Sequence, residues 1–236
     1  MARVDAPRTL PRDVDKRAWV ESMFDRVAPT YERVNSVISL GQDRHWRRDV
    51  VTALGLPPAA TVLDVACGTG DLCRALVGSG HRPVGVDMSA GMLAAARADA
   101  AFVRGDALAL PVRDGGADGV VCGFALRNFV ALQPFFAECA RVLRPGGRFV
   151  AVDAAVPANR LARIGHDVWF RRMVPWIGGR LSGQADAYRY LPASTAYLPD
   201  GPVLATMLRD AGFEDVERVT RMAGAVQLLS GTRRSA

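Results

Sequence analysis

Apolar residues near the start of the chain recur at helical spacing. Trp19, Val20, Met23, Phe24 and Val27 fall at three- and four-residue steps and share one face. The helical pattern runs from Lys16 to Leu54, with breaks near Pro29 and Gly41. Its last segment opens at Asp43-Arg44-His45-Trp46 and stops at Gly55, ahead of Pro57-Pro58. At Thr61 the texture changes. Residues 61–66 form a short apolar run suited to a strand buried on both faces, and further runs follow at 83–87, 101–106, 119–123 and 148–153. Helical patterns lie between them at 71–77, 89–98 and 134–143. Farther on, the pattern predicts helices over 161–174 and 202–211 and strands near 214–220 and 225–230. Strands alternating with helices predict right-handed βαβ units. The expected architecture is α/β: a seven-stranded, mostly parallel sheet with helices on both faces and an N-terminal helical cap.

No internal repeat or low-complexity linker divides the chain. Residues 1–15, rich in Pro, Arg and Asp, read as a flexible N-terminus. Residues 16–236 read as a single domain, made of a helical cap (16–56), a ligand-binding core (61–154), an insertion on the substrate side (155–200) and a C-terminal helix with two strands (201–232).

Half of the 236 residues are hydrophobic and 23% are charged, enough to bury a core and too apolar for disorder. No apolar run approaches the roughly 18–20 residues that span a bilayer, and the first residues offer no signal peptide, so a cytoplasmic location is expected. Thirty basic and 24 acidic residues give +6, and Lys16 is the one lysine. Six arginines between Ala155 and Thr195 face two acids, Asp167 and Asp186. A nucleic-acid binder would carry a denser basic stripe with interleaved aromatics, so nucleic acid is not an expected partner. Four cysteines without a CxxC pair and three scattered histidines show no metal-ligand spacing; free thiols are expected, and no metal.

The strongest local signal is Val62-Leu-Asp-Val-Ala-Cys-Gly-Thr-Gly-Asp71. A strand running into Gly68-Thr69-Gly70 turns tightly and brings backbone against a ligand, and the following helix presents its N-terminus. A dinucleotide fingerprint needs a third glycine three residues after Gly70, where Cys73 stands. Asp64 and Asp71 flank the loop instead and favour a cationic ligand. Asp87, 19 positions after Gly68, closes the second strand and suits two ribose hydroxyls, while Asp106-Ala107 closes the third and suits an adenine amino group. Taken singly, each acid is more often a helix cap, and Asp106 could also be a turn residue ahead of Leu110-Pro111. Together they sit on the carboxyl edge of one sheet and point to a positively charged adenosyl ligand.

On these residues the chain resembles the class I S-adenosylmethionine-dependent methyltransferases, and more closely the C-methyltransferases of menaquinone and ubiquinone biosynthesis, the UbiE/MenG group. Met23-Phe-Asp-Arg-Val-Ala-Pro-Thr-Tyr31, Asn35 and Ser39-Leu-Gly-Gln-Asp-Arg-His-Trp-Arg-Arg48 are similar to that family's N-terminal signature. Gly123-Phe-Ala-Leu-Arg-Asn128 is similar to its GFGLRN segment, and Arg141-Val-Leu-Arg-Pro-Gly-Gly147 is shared with many methyltransferases. Ile177-Gly-Gly, Ala187-Tyr-Arg-Tyr-Leu191, Ser194 and Ala211-Gly-Phe213 fit the C-terminal half, so the likeness spans about residues 20 to 230. Three segments depart: Ala125 replaces a glycine, Val152-Asp153-Ala154 replaces an EFS-like stretch, and Ala223-Gly-Ala-Val-Gln-Leu-Leu229 replaces a GGIVALH-like one.

The resemblance implies a Rossmann-like class I methyltransferase fold, S-adenosyl-L-methionine as cofactor, and a prenylated quinol as acceptor, demethylmenaquinol foremost, with another aromatic ring as the alternative. It implies cofactor contacts at Asp64, Gly68, Thr69, Gly70, Asp87, Met88, Asp106, Ala107 and Gly123. For the chemistry, Arg127 is the candidate to stabilise a phenolate, whose free pKa near 10 must fall by about two to three units to be accessible at neutral pH. Asn128 would orient a water or the ring oxygen, and Tyr31 would close over the site; the alternatives are a pairing arginine and a core tyrosine. Leu161, Ile164, Val168, Trp169 and Met173 form an apolar stripe flanked by Arg160, Arg163, Arg171 and Arg172, suited to a lid, a homodimer contact or a peripheral contact with the inner face of a membrane.

Overall fold

The apolar runs become β1 (Thr61–Val65), β2 (Arg82–Asp87), β3 (Ala101–Arg104), β4 (Ala117–Gly123) and β5 (Leu143–Ala154), joined by β6 (Phe213–Arg221) and β7 (Val226–Arg233). In this computed structural model, which describes residues 13–235, they form one sheet in the order β3-β2-β1-β4-β5-β7-β6. Most of the segment expected to be a flexible N-terminus, residues 1–12, lies outside the described residues. Strands β1 to β5 run parallel, and β7 is antiparallel to both β5 and β6. The edge strands β3 and β6 carry most of the exposed polar positions, whereas Val62, Val65, Val120 and Val121 in the centre are inaccessible to solvent.

Alternation along each strand divides the core in two. On one face α3 (Asp43–Leu54) and α4 (Asp71–Gly78) set Trp46, Val50, Leu54, Leu72 and Leu76 against Val62, Val121 and Val150. On the other, α6 (Leu132–Val142) and α10 (Gly201–Asp210) pack Phe135, Phe136, Leu204 and Leu208 against Leu63, Val120, Phe149 and Leu229. A third cluster joins α1 (Asp13–Val27), α2 (Tyr31–Ile38), α5 (Ala90–Ala94) and α9 (Ala185–Ser194) through Val20, Met23, Val34, Met92, Tyr188 and Tyr190, and it forms the helical cap.

Two helices differ from their predicted extents. The helix expected over 89–98 ends at Ala94, because the Arg97 N–H donates to the Thr69 carbonyl of the glycine loop at 3.2 Å instead of continuing the helical ladder. The helix expected over 161–174 is α7 (Arg160–Val168), a π-helical turn over Trp169–Met173, then α8 (Val174–Ser182). Pro175 in the first turn of α8 lacks an N–H for the carbonyl four residues back, and the preceding turn is the wide one. The Trp169 indole donates to the Ile38 carbonyl at 3.2 Å and fastens this segment to α2.

Candidate active site

The strand order reverses between β1 and β4, and a crevice opens at their carboxyl ends. The residues that leave these two strands, Ala66 and Phe124, both have φ near +57°. That left-handed backbone is unfavourable for a side chain of phenylalanine's size, so the surrounding contacts must hold it: Phe124 packs on Trp46 at 5.3 Å between ring centroids, and its N–H donates to the Val152 carbonyl at 2.7 Å. Two cavities meet here. The smaller, about 90 Å³, is lined by Asp87, Met88, Asp106, Ala107 and Asn128 among others. The larger, about 440 Å³, is lined by Asp64, Thr69 and Arg127 and by an apolar wall including Trp46, Trp169, Phe170 and Leu191. Phe24, Tyr31, Ala66, Gly68, Gly123 and Phe124 line both, so the three acids open into adjoining spaces.

The glycine loop is tied to the second strand. Gly68 N–H donates to Asp87 Oδ2 and Ser89 N–H to Asp87 Oδ1, each at 2.8 Å. Burial pushes the Asp87 carboxyl upward against these bonds. Gly68, at φ +55°, borders both cavities. Gly70 does not. At φ +82°, a Cβ there would stand 2.9 Å from Phe102 Cζ, so this glycine makes room for the half-buried Phe102 ring. Gly123 borders both cavities, and a Cβ there would meet Leu72 Cδ1 at 2.9 Å.

Asp64 is buried, with Oδ2 accepting from Cys73 Sγ at 3.3 Å and Oδ1 without a partner; burial raises its pKa to about 7. The Thr69 hydroxyl is also buried and unpartnered. Asp71, expected to add negative charge at the loop, instead pairs with Arg47 at 2.5 Å and with Arg74, so its charge is met by two guanidinium groups. Asp106 is engaged too. Its Oδ2 lies 2.8 Å from Arg17 of α1, a half-exposed contact, and its Oδ1 accepts from Leu108 N–H at 3.0 Å.

Arg127 reaches the larger cavity, yet its guanidinium is paired with buried Asp153 at the end of β5, and its own N–H donates to Asp153 Oδ2 at 3.3 Å. Arg127, the candidate to stabilise a phenolate with a pairing arginine as the alternative reading, is half of a buried ion pair. Asn128 accepts at Oδ1 from the Tyr190 hydroxyl at 3.3 Å. Lys16, buried, donates to the carbonyls of Arg127 (3.0 Å) and Phe129 (2.6 Å), pinning α1 to the Leu126–Asn128 turn; burial lowers its pKa to about 8. Tyr31 stands beside Gly68, edge-on to Phe24 at 6.1 Å, and burial raises its phenol pKa.

Asp153, Arg17 and Lys16 were not singled out from the sequence. Asp153 carried a usable signal, since it ends a strand paired directly with β4, which leads into Arg127. Arg17 and Lys16 carried none. All four cysteines are free and buried, and among the described residues no cluster of His, Cys, Asp or Glu is placed to hold a metal ion.

A seven-stranded sheet of this order, with a glycine loop and strand-end acids at its switch point, defines a class I methyltransferase. The same fold occurs in Haemonchus contortus phosphoethanolamine N-methyltransferase 2 (TM-score 0.67, 13% identity, covering 94% of this chain and 61% of that one). It recurs in a TehB-like methyltransferase from Corynebacterium glutamicum (TM-score 0.59, 18% identity, 88% and 98% covered). The model of the ubiE/COQ5 methyltransferase family matches residues 12–233. The demethylmenaquinone methyltransferase of Mycolicibacterium vanbaalenii is 43% identical over 215 residues, 91% of this chain and 94% of that one. That of Roseiflexus castenholzii is 38% identical over 232 residues, 95% and 98% covered. The chain belongs to the ubiE/COQ5 methyltransferase family, and its activity is S-adenosyl-L-methionine-dependent methyl transfer.

Proposed function

We propose that the protein methylates a ring carbon of a prenylated quinol, converting demethylmenaquinol to menaquinol. The observation that carries this reading is the 440 Å³ apolar cavity adjoining the glycine loop, a volume in the range of small-molecule sites. The names of the two relatives support it. The residues present fit the cofactor: the unpartnered Asp64 Oδ1 suits its ammonium, Asp87 its ribose hydroxyls, and Met88, Asp106 and Ala107 its adenine. When bound, the cofactor supplies the methyl group as a sulfonium electrophile.

The chain's own part is to hold the acceptor ring in line and to favour its phenolate. Arg127 acts as one half of the Arg127–Asp153 pair, offering directed N–H groups with little net charge. Tyr31, which lines both cavities, walls the ring off from water, whereas Asn128 lines the smaller cavity and accepts from Tyr190, away from the expected place at the ring oxygen. A second reading, a different aromatic acceptor, is favoured by one observation. Four of the residues that depart from the family pattern, Val152, Ala154, Ala223 and Ala225, line the larger cavity.

One side of α7 lines the cavity with Ala162, Gly165 and His166, while Leu161, Ile164 and Val168 stand exposed beside Arg160, Arg163, Arg171 and Arg172. This face fits an anionic bilayer surface, from which a prenylated acceptor is drawn. Among the described residues no helix is long and apolar enough to cross a membrane.

Label transfer from methyl-labelled cofactor to a panel of quinols tests the proposal. A prenylated naphthoquinol is expected to be labelled far faster than its tail-less analogue or a benzoquinol; preference for the tail-less ring would overturn it. Sedimentation with vesicles is expected to capture the protein only when they contain anionic lipid, and Ile164→Asp to abolish capture. A soluble dimer hiding this face would refute the membrane contact.

A further inference from the structure

Within the larger cavity the polar side chains are mostly spoken for. Asp43 and Asp71 share Arg47, and Arg127 is paired with Asp153. Asp64 and Thr69 keep unpartnered atoms, but both belong to the strand and loop that hold the cofactor. One group remains. His166, on α7, has both ring nitrogens buried and neither hydrogen-bonded. Its ring stacks on Phe170 at 5.0 Å with 14° between planes, which fixes its orientation against the apolar wall. Its Nδ1 lies 3.7 Å from Asp167 Oδ1, too far for a hydrogen bond, so neither ring nitrogen has a partner within the protein. A buried imidazole with two unmet hydrogen-bonding atoms is unfavourable unless a ligand completes it.

We propose that His166 binds the acceptor's ring hydroxyl and takes its proton, acting as the general base of the methylation. The inference rests on the quinol reading above. The hydroxyl proton moves to Nε2, and the electron pair left on oxygen is delocalised to the adjacent ring carbon. That carbon forms a bond to the methyl group as the carbon–sulfur bond breaks, leaving a neutral thioether. The methylated carbon then loses its hydrogen as a proton to water, and the ring oxygen regains a proton from the imidazolium. The balance is a methylated quinol, the thioether and one released proton. Arg127 with Asp153 then has a narrower task, to hold the ring oxygen while the proton leaves. Other titratable or charged groups lining the same cavity are Tyr31, Asp43, Arg47, Asp64, Cys67, Asp71 and Arg127, and on its own segment His166 is flanked by Asp167 and Arg171.

His166→Phe keeps the stacked ring and removes both nitrogens, and His166→Asn keeps a hydrogen-bonding group without a titrating base. With a quinol the wild type methylates, His166→Phe is expected to lower kcat by about a hundredfold or more and to remove the acidic limb of the kcat–pH profile at saturating cofactor. His166→Asn is expected to recover acceptor KM but not kcat. Cofactor affinity by calorimetry should stay within about twofold in both, since Asp64 governs that step. In the wild type, one of three histidine ring resonances should shift on acceptor binding and be absent from whichever variant folds. Unchanged kcat and acidic limb in either variant, or no histidine resonance responding to acceptor, would overturn the assignment. Failure of the wild type to label any prenylated quinol would instead overturn the acceptor reading.

Discussion

With the cofactor's ammonium at Asp64 Oδ1, as proposed, cofactor affinity is expected to depend on pH in a definite direction. Its carboxyl is buried, and burial is the largest cause of a pKa near 7; the Cys73 thiol bond opposes the rise and the Asp87 charge adds to it. A cationic ammonium at the unpartnered Oδ1 requires the ionised form. Below pH 7 the proton must be expelled on binding, at about 1.4 kcal/mol per pH unit, so affinity falls close to tenfold per unit; above pH 7 it levels off. Calorimetry at pH 6 and pH 8 should therefore give dissociation constants roughly tenfold apart, with proton uptake by buffer at the lower pH. Asp64→Asn should flatten this dependence and weaken binding at pH 8 by the roughly 1.5–3 kcal/mol of a charge-assisted hydrogen bond. Stability of the free protein runs the other way. A carboxyl whose folded pKa is raised contributes stability that is complete below its unfolded pKa of about 3.9 and lost as pH rises through 7, roughly 4 kcal/mol over three units. Asp64→Asn should thus melt above the wild type at pH 8 without cofactor and below it with cofactor. A dissociation constant constant from pH 5.5 to 8, or an unchanged slope in Asp64→Asn, would refute the reasoning.

Asp87→Ala removes the acceptor of both the Gly68 and Ser89 N–H groups and should weaken cofactor binding by about tenfold or more, each bond to a charged group being worth about 1.5–3 kcal/mol; wild-type affinity by calorimetry would exclude the loop tether. Asp153→Ala strands a buried guanidinium and should cost about 3–5 kcal/mol in urea unfolding, while the double variant with Arg127→Ala should cost less than the two single losses combined; strict additivity would show that the pair is not coupled. Gly70→Ala should destabilise by about 1–3 kcal/mol through its φ of +82° and the Phe102 ring, with Phe102→Leu relieving part of the loss; a neutral thermal melt would contradict the packing role.

Periodicity made the sheet legible. Residues 119–123, and 62–66 apart from Asp64, are apolar at consecutive positions because both faces of a central strand are covered, and the turn chemistry of Gly68-Thr69-Gly70 marked where the first strand met its helix. The helix after Asp87 was overread for a local reason. Residues 95–98 favour a helix by composition, but the Thr69 carbonyl, distant in sequence, captures the Arg97 N–H. No propensity registers such competition.

Charges were legible as positions and illegible as partners. Asp64, Asp87 and Asp106 could be placed at strand ends because strand ends are visible in a pattern; what each carboxylate faces depends on side chains brought from other elements. Arg47 and Arg74 neutralise Asp71 from α3 and α4, Arg17 reaches Asp106 from the cap, and Asp153 meets Arg127 across the β4–β5 pair. The consequence is chemical. A guanidinium already paired has little net positive field to lend a phenolate, so a separate base would complement it. Among the buried side-chain atoms without a hydrogen bond, those lining the larger cavity are Asp64 Oδ1, Thr69 Oγ1 and the two nitrogens of His166. The first two belong to β1 and the glycine loop, where the cofactor is proposed to bind. The imidazole, on α7 and stacked in place by Phe170, is the member of this set that lies outside the strand and loop proposed to hold the cofactor.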